Sequence, residues 1–362
     1  MKAFSRKITR TVNVGNVPIG GGFPITVQSM TSVKTHDLDA VLPQIEQLEV
    51  AGCQLIRVTV PDEEAVHALT IIKKKMHVPL IADIHFNYRL ALAAIDAGAD
   101  KIRLNPGNIG GKERVKAVLQ KAKAAHVPIR IGVNAGSLEK DLLAKYGAPT
   151  AEAMVASAAR HIEICRENDF EDIIVALKAS NVQLMIAANR LFSEQFDYPL
   201  HLGVTESGPL WQGTIKSCLG IGTLLAEGIG DTLRVSLTAN PVEEVRVGLE
   251  ILKALDINRG GVRLVSCPTC GRTSVDLITI VGQVEEFLKG VKKDLTVAVM
   301  GCEVNGPGEA READIGLAFG KTGVLLFRRG TIVSRLRLEE ALDRLKTEII
   351  NWQDLSQEEE QP

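Results

Sequence analysis

The sequence of 362 residues is poor in aromatic side chains, which make up 4% of it, and its formal net charge is only −2. A general nucleic-acid binder needs a basic surface and aromatic rings on which bases stack, so the sequence argues against nucleic acid as a partner. There is also no run of about 18 apolar residues and no signal-peptide core, so we expect no membrane span and a cytoplasmic location. Any anionic ligand must therefore be held by local arginines and lysines.

Cysteine is scarce as well, with six residues in the whole chain. In a long cytoplasmic protein, cysteines are expected to be free thiols or metal ligands rather than a disulfide framework. Cys53, Cys165 and Cys218 fall in helical or tightly packed segments and are predicted to be inert core thiols. The other three, Cys267, Cys270 and Cys302, lie close together near the C-terminus.

Short β-rich runs alternate with helical patterns over the first two thirds of the chain. The predicted strands lie near 25–28, 54–60, 80–85, 101–105, 129–134, 173–178, 200–205 and 232–236. Such alternation indicates a parallel α/β domain. Eight repeats predict a closed (β/α)8 TIM-like barrel, with an open doubly wound sheet as the alternative.

The segment DINRGG at 256–261 is typical of a linker, so we predict a barrel domain over 1–257 and a smaller α+β domain over 258–362. In the smaller domain, apolar residues at 277, 280, 281, 284, 287 and 288 mark one face of a helix. A strand at 295–300, Gly-separated strands after it and a helix near 338–350 complete the prediction.

Polar residues stand at the predicted strand ends, where a β/α barrel places its chemistry. The candidates are Arg57, Asp83, His85, Arg103, Asn105, Arg130, Asn134, Lys178, Arg234 and Ser236, with His201, Thr205 and Glu206 in the same pattern. Five of them are cations on five separate strands, and arginine forks and lysine charges suit phosphate oxygens. They predict a small, multiply anionic ligand such as a diphosphate, while Asp83 and His85 orient a substrate hydroxyl or pair with the arginines.

A second set joins the pair Cys267 and Cys270 in SCPTC to Cys302 and Glu309 in GCEVNGPGE. A redox dithiol would leave Cys302 without a role. A structural zinc site wants four nitrogen or sulfur ligands, yet all seven histidines precede residue 258. An iron–sulfur cluster with three thiolates and an oxygen ligand from Glu309 is favoured, and zinc stays open.

Five segments together closely resemble the IspG (GcpE) family, the 4-hydroxy-3-methylbut-2-enyl diphosphate synthases of the non-mevalonate isoprenoid pathway. They are VQSMT, KIRLNPGN, RIGVNAGSL, SCPTCGR and MGCEVNGPGEAREADIG. The resemblance covers nearly the whole chain and fits the two-domain bacterial form. It implies a (β/α)8 barrel followed by a domain with a [4Fe–4S] cluster on Cys267, Cys270, Cys302 and Glu309.

The resemblance further implies reductive ring opening and dehydroxylation of 2-C-methyl-D-erythritol 2,4-cyclodiphosphate, with electrons from flavodoxin or ferredoxin. Matched by motif, Arg57, Arg103, Arg130, Asn134, Lys178, Arg234 and Ser236 hold the diphosphate. Thr205 and Glu206 lie near the reacting carbons, with Glu206 a candidate proton donor. It also implies a homodimer in which the barrel of one subunit meets the cluster domain of the other.

Two other functions compete with this one. A radical S-adenosylmethionine enzyme also combines a barrel with a cluster, but its C-x-x-x-C-x-x-C triplet normally lies early in the barrel, and the clustered cysteines here are late. A non-enzymatic, metal-stapled phosphosugar-binding module needs no carboxylate ligand on the metal.

Overall fold

The computed structural model describes residues 5–257, 261–291, 293–302 and 310–352. The chain divides into two compact units, Met1–Ile257 and Asn258–Pro362. The first unit begins with a short antiparallel hairpin of β1 (Val12–Val14) and β2 (Val17–Ile19). Eight parallel strands follow: β3 (Thr26–Met30), β4 (Leu55–Thr59), β5 (Leu80–Asp83), β6 (Lys101–Arg103), β7 (Ile129–Asn134), β8 (Ile173–Lys178), β9 (His201–Leu202) and β10 (Thr232–Leu233).

Helices connect these strands and cover the outside of the sheet. They are α1 (Leu38–Val50), α2 (Glu63–Lys75), α3 (Tyr88–Asp96), α4 (Lys112–Ala124), α5 (Lys140–Tyr146), α6 (Ala151–Arg166), α7 (Val182–Gln195), α8 (Leu210–Ala226) and α9 (Pro241–Ala254). Because helices cover one face and inward side chains cover the other, the strands are buried on both sides, and β8 is buried at all six positions.

The sheet runs in the order β8-β7-β6-β5-β4-β3-β10-β9, with every neighbouring pair parallel. An isolated parallel bridge between Val175 of β8 and Leu200, just before β9, brings the two edges together. This nearly closed sheet confirms the predicted TIM-like barrel, and the open doubly wound alternative is wrong. Strands β9 and β10 are shorter than predicted, because the chain beyond them turns into two loops that pair with each other.

Side-chain caps start several helices within a few residues of a strand end. Asp62 accepts a hydrogen bond from the backbone N–H of Ala65, and Asn181, three residues after β8, does the same for α7. Asn240 caps α9, whose first residue is Pro241, a position where the missing N–H of proline costs nothing. Short, capped connections keep the strand-end side chains in fixed positions.

The hairpin of β1 and β2 fills the N-terminal end of the barrel. Val12, Val14 and Ile19 are buried there in one cluster with Leu55, Ile81 and Ile174 of the barrel strands. The hairpin was not predicted from the sequence. It seals the end of the barrel opposite the candidate site with apolar side chains.

The second unit is an α+β domain, as predicted. Its five-stranded sheet has the order β11 (Val262–Ser266), β12 (Leu295–Met300), β13 (Ile315–Phe319), β14 (Val324–Arg328) and β15 (Thr331–Leu336). The first three strands are parallel and the last three antiparallel. Helices α10 (Leu277–Leu288) and α11 (Leu338–Ile350) pack on it around Leu317 and Leu326, and the predicted apolar face of α10 is the buried one.

Within the described ranges, no helix is both long and apolar enough to cross a membrane.

Candidate active site

The five cations predicted at the strand ends come together at the C-terminal mouth of the barrel. Arg57 of β4 and Arg103 of β6 both pair with Asp83 of β5, at 3.7 and 3.5 Å. Burial alone would raise the pKa of Asp83, but the charges of Arg57 and Arg103 hold this pKa below its ordinary value. Asp83 is therefore a carboxylate that pairs with two arginines, which is one of the two roles predicted for it.

Met30 joins a third strand-end cation, Arg234, to this group. Its thioether sulfur lies 3.0 Å from Nη2 of Arg57 and 3.6 Å from Nη1 of Arg234. Sulfur is only a weak acceptor, so the contact orients the two guanidinium groups without neutralising them.

Arg234 is paired on its other side with Glu244 of α9. Nε of Arg234 lies 3.2 Å from Oε2 of Glu244, and Nη2 lies 3.3 Å from Oε1. The guanidinium group of Arg234 thus donates to both carboxylate oxygens of Glu244.

Two inward-facing glycines leave room for the remaining cations. A Cβ atom at Gly132 would lie 2.7 Å from Nη1 of Arg130, and one at Gly203 would lie 2.6 Å from Nζ of Lys178. Both separations are too short for real Cβ contacts, so any larger residue displaces the cation. The barrel interior is therefore shaped around Arg130 and Lys178.

Charge at the mouth is not balanced. Arg130 and Lys178 are 4% and 7% exposed, and no carboxylate of the described residues lies within ion-pair distance of either one. Asp83 and Glu244 compensate only part of the five positive charges. Buried cations without partners are costly, and a bound anion removes that cost.

The pKa of Lys178 gives a way to measure this imbalance of charge. Burial, with the charges of Arg130 and Arg234, holds the pKa of Lys178 well below its ordinary range. A bound phosphate favours the ammonium form and raises this pKa, so we expect inorganic pyrophosphate to bind with uptake of a proton and to bind more weakly as pH rises. Calorimetry in two buffers of different ionisation enthalpy measures the uptake. Lys178→Met should remove it, and an unchanged uptake in that variant contradicts the assignment.

Three other predicted residues border the mouth. The side chain of Asn105 accepts from the backbone N–H of Gly132 at 2.8 Å and donates to its carbonyl oxygen at 2.9 Å, which joins the loop after β6 to β7. Asn134 is the last residue of β7, and its side chain makes no cap for the turn that follows. His85 is exposed just beyond β5, where partial burial lowers its pKa in spite of Asp83.

Thr205, Glu206 and Ser236 lie on the two loops that pair beyond β9 and β10. Glu206 is exposed and has φ = 53°, a left-handed conformation that is uncommon outside glycine. The next residue, Ser207, donates its hydroxyl to the carbonyl oxygen of Ser236, and Thr238 donates its N–H to Gly208 at 3.0 Å. Hydrogen bonds of the neighbouring residues thus hold the backbone of Glu206 in this uncommon conformation. Such backbone conformations are frequent at functional sites.

In the second unit, Cys267 and Cys302 follow two adjacent parallel strands. Cys267 comes directly after β11 and Cys302 two residues after β12, and Ser266 pairs with Val299 across them. The backbone N–H of Gly301 donates to Sγ of Cys267 at 3.2 Å, as outer-shell donors do to the ligands of metal sites. Cys302 is buried, whereas Cys270 is exposed.

The described residues do not bring these thiols into one metal-binding group. No cluster of three or more His, Cys, Asp or Glu side chains within those ranges is placed to hold a metal ion. Glu309 lies outside the described residues. The thiols fit iron by their chemistry and by the N–H donor beside Cys267, and their ligand roles stay predictions.

The comparisons with known proteins decide the family. A model described as the GcpE TIM-barrel domain matches residues 9–249, and one described as the GcpE protein C-terminal domain matches residues 263–351. The chain belongs to the GcpE family. The resemblance inferred from the sequence motifs is confirmed.

Curated members of the GcpE family are similar over almost the full chain. A protein of Anoxybacillus flavithermus named 4-hydroxy-3-methylbut-2-en-1-yl diphosphate synthase (flavodoxin) is 57% identical over 95% of this chain and 94% of its own length. A protein of the same name from Clostridium perfringens is 55% identical over 94% of this chain and 98% of its own length. These names support the predicted synthase over the radical S-adenosylmethionine alternative.

Among solved structures, dihydropteroate synthase from Stenotrophomonas maltophilia is similar to the barrel. The two share 14% identity with a TM-score of 0.51, over 68% of this chain and 98% of the other. At this identity the likeness shows the fold alone.

Sequence reasoning missed several residues at the GcpE barrel mouth and misplaced one cysteine. Glu244 lies in a helix and was not singled out, and Met30, although part of the segment VQSMT, was given no role because it is apolar. Lys101, fully buried below Arg103, was passed over as the start of a strand. Cys53 and Cys165 are buried as predicted, but Cys218 is exposed on the outer surface of α8, because the apolar composition of that helix does not reveal which face meets solvent.

Proposed function

We propose that the chain reduces 2-C-methyl-D-erythritol 2,4-cyclodiphosphate, opening its ring and removing a hydroxyl as water, to give the linear allylic diphosphate. Two observations carry the proposal. The chain matches synthases of this name over nearly its whole length, and among the described residues only two carboxylates, Asp83 and Glu244, pair with any of the five convergent cations. The barrel unit (1–257) binds the substrate and the second unit (258–362) carries the cofactor. No radical S-adenosylmethionine spacing is present in the sequence.

The barrel mouth suits the two phosphates of such a substrate. Arg130 and Lys178 offer buried charges that no carboxylate of the described residues pairs with, while Arg57, Arg103 and Arg234 already lie beside Asp83, Glu244 and Met30. Positioned donors of this kind lose little freedom when the anion binds. The substrate-binding residues named from the sequence all remain in this proposal.

The cofactor that fits the reaction is a [4Fe–4S] cluster held by Cys267, Cys270, Cys302 and Glu309. It supplies one-electron transfer, which a two-electron reduction from a one-electron donor requires. The N–H donor at Cys267 supports the assignment, because hydrogen bonds to ligand sulfur tune such clusters.

The reaction consumes two electrons, and the departing hydroxyl takes up a proton as it leaves as water. Flavodoxin is the proposed electron donor because the relatives carry it in their names, and ferredoxin is the second candidate. Glu206, exposed beside the mouth and held by the paired loops, is the proposed proton donor, and Thr205 lies next to it. A cytoplasmic location remains the prediction made from the sequence.

The direct test is anaerobic turnover. Protein with reconstituted iron and sulfide is mixed with the cyclic diphosphate and reduced flavodoxin, and the phosphorus resonances of the products are recorded. A linear diphosphate in place of the cyclic one is expected. A fully loaded protein that leaves the cyclic diphosphate unchanged contradicts the proposal.

We further propose that the protein is a homodimer, in which the cluster domain of one subunit faces the barrel of the other. The outer face of α8 supports self-association. Trp211, Ile215 and Leu219 recur every four residues on this face and are 74%, 43% and 57% exposed. An exposed apolar stripe of this kind marks a protein interface more often than an ordinary surface.

Replacing Trp211 by Glu should weaken this dimer, because a charge at the centre of an apolar contact must be desolvated without a partner. We expect a dissociation constant raised by at least tenfold in sedimentation experiments. Glu227→Gln, beyond the end of the same helix, is the control and should leave the dimer intact. A variant that sediments as wild type rules out the α8 stripe as the contact.

A further inference from the structure

Glu244 is a buried carboxylate that no sequence motif singled out. It lies in the first turn of α9 and is 3% exposed. Besides the two contacts with Arg234, its Oε2 accepts the hydroxyl of Ser29 at 2.8 Å and its Oε1 accepts the backbone N–H of Leu237 at 3.0 Å. One side chain therefore ties together β3, the helix α9 and the loop that follows β10.

Arg234 needs such a tie because the sheet holds it on one side only. The ladder between β10 and β3 ends at Leu233 opposite Val27, one residue before Arg234. On the other side, the N–H of Arg234 still donates to the carbonyl oxygen of Leu202 at 2.9 Å. Toward β3, the link runs instead through Glu244 to Ser29.

We propose that Glu244 is a positioning residue for substrate binding: it aims the guanidinium group of Arg234 at the mouth of the barrel. The inference rests on the proposed function, since Arg234 is one of the cations assigned to the diphosphate. Glu244 itself is not assigned to the substrate. Its two oxygens accept four hydrogen bonds, which leaves it no free lone pair aimed at the mouth.

A purely structural role is the competing explanation. Acidic residues in a first helical turn stabilise the helix through its dipole, and α9 has two of them, Glu243 and Glu244. Glu243 pairs with Arg246 on the same helix at 2.6 Å and is more exposed. Glu243→Gln is therefore a matched control, with the same helix turn and the same charge change but no link to Arg234.

The test is Glu244→Gln in the complete, cluster-loaded protein, measured as KM and kcat for the cyclic diphosphate. An amide presents an N–H group where the carboxylate received Arg234, so the guanidinium loses its orientation. We expect KM to rise roughly tenfold with a much smaller change in kcat, because a contact used equally in the ground and transition states is lost. Glu243→Gln should keep wild-type values.

A double-mutant cycle distinguishes the positioning role of Glu244 from a purely structural role. If Glu244 acts through Arg234, then Glu244→Gln should raise KM by less than about twofold in an Arg234→Met background. An equal rise in both backgrounds, or a wild-type KM for Glu244→Gln, overturns the inference. Failure of the proposed function is distinct from this, since it appears as absent turnover in the wild-type protein.

Glu244→Asp covers the case in which the glutamine variant does not fold. Aspartate keeps the negative charge, but its side chain is shorter by about one methylene group. The carboxylate therefore cannot bind Arg234 and at the same time keep its hydrogen bonds to Ser29 and Leu237. An intermediate rise in KM that disappears in the Arg234→Met background supports positioning. A folded Glu244→Asp protein with wild-type KM contradicts it.

Discussion

Cys302→Ser should abolish both the iron–sulfur content and the turnover of the protein. Cys302 is buried two residues beyond β12, beside the strand that delivers Cys267, and serine oxygen is a far poorer ligand for the soft irons of a cluster. Wild-type protein prepared without oxygen is expected to hold about four irons and four sulfides per chain. In Cys302→Ser both contents should fall to a small fraction of this, and reduction of the cyclic diphosphate should become undetectable. Cys267→Ser and Cys270→Ser should behave alike.

Cys218→Ser is the matched control for that experiment. Its thiol is exposed on α8 in the barrel unit and has no predicted ligand role, so the iron and sulfide contents should match the wild type. The three cysteines of the second unit also allow zinc, which would need an oxygen ligand. Stoichiometric zinc without sulfide in the wild-type protein therefore contradicts the cluster and leaves the barrel assignment untouched.

Most of the barrel was predictable because its strands are buried on both faces. Burial on both faces produces continuous apolar, β-branched runs such as Ile173–Lys178, which stand out from the helical patterns between them. The hairpin of β1 and β2 has strands of only three residues, which are too short for an alternation of apolar and polar residues to be recognised. Strand β11 was missed for another reason: it is an edge strand with mixed exposure at all five positions, so its sequence carries no clear period.

The candidate site was predictable where its residues belong to strands or follow a strand end within a few residues. Arg57, Arg103 and Arg130 are charges within apolar runs, and such charges in a parallel barrel are candidates for the site at its C-terminal mouth. Glu244 is different, because it contacts Ser29 across 215 positions of sequence and sits in a helix turn where acids are common for other reasons. The strain at Glu206 is likewise a property of the folded loop and not of the sequence around it.

Arg130→Met should separate binding from stability more sharply than any other change at the mouth. The residue is 4% exposed, and no carboxylate of the described residues pairs with it, so its charge serves the ligand rather than the fold. Charge-assisted contacts contribute about 1.5–3 kcal/mol, so kcat/KM for the cyclic diphosphate should fall by roughly ten- to a hundredfold. Iron and sulfide contents should stay at wild-type values.

The same variant, Arg130→Met, should gain thermal stability although it loses kcat/KM. Burial and the charges of Arg57 and Arg103 hold the pKa of Arg130 well below its ordinary range, so the free protein carries a cost for the cation. Methionine of similar size removes this cost, and the unfolding midpoint without ligand should rise by a few degrees, roughly 1 kcal/mol of stability. Arg6→Met is the contrasting control: Arg6 pairs with the buried Asp231 at 2.6 Å, so its loss should lower the midpoint and leave KM unchanged. A midpoint that falls in Arg130→Met as it does in Arg6→Met makes Arg130 a structural residue, and the anion site must then be built without it.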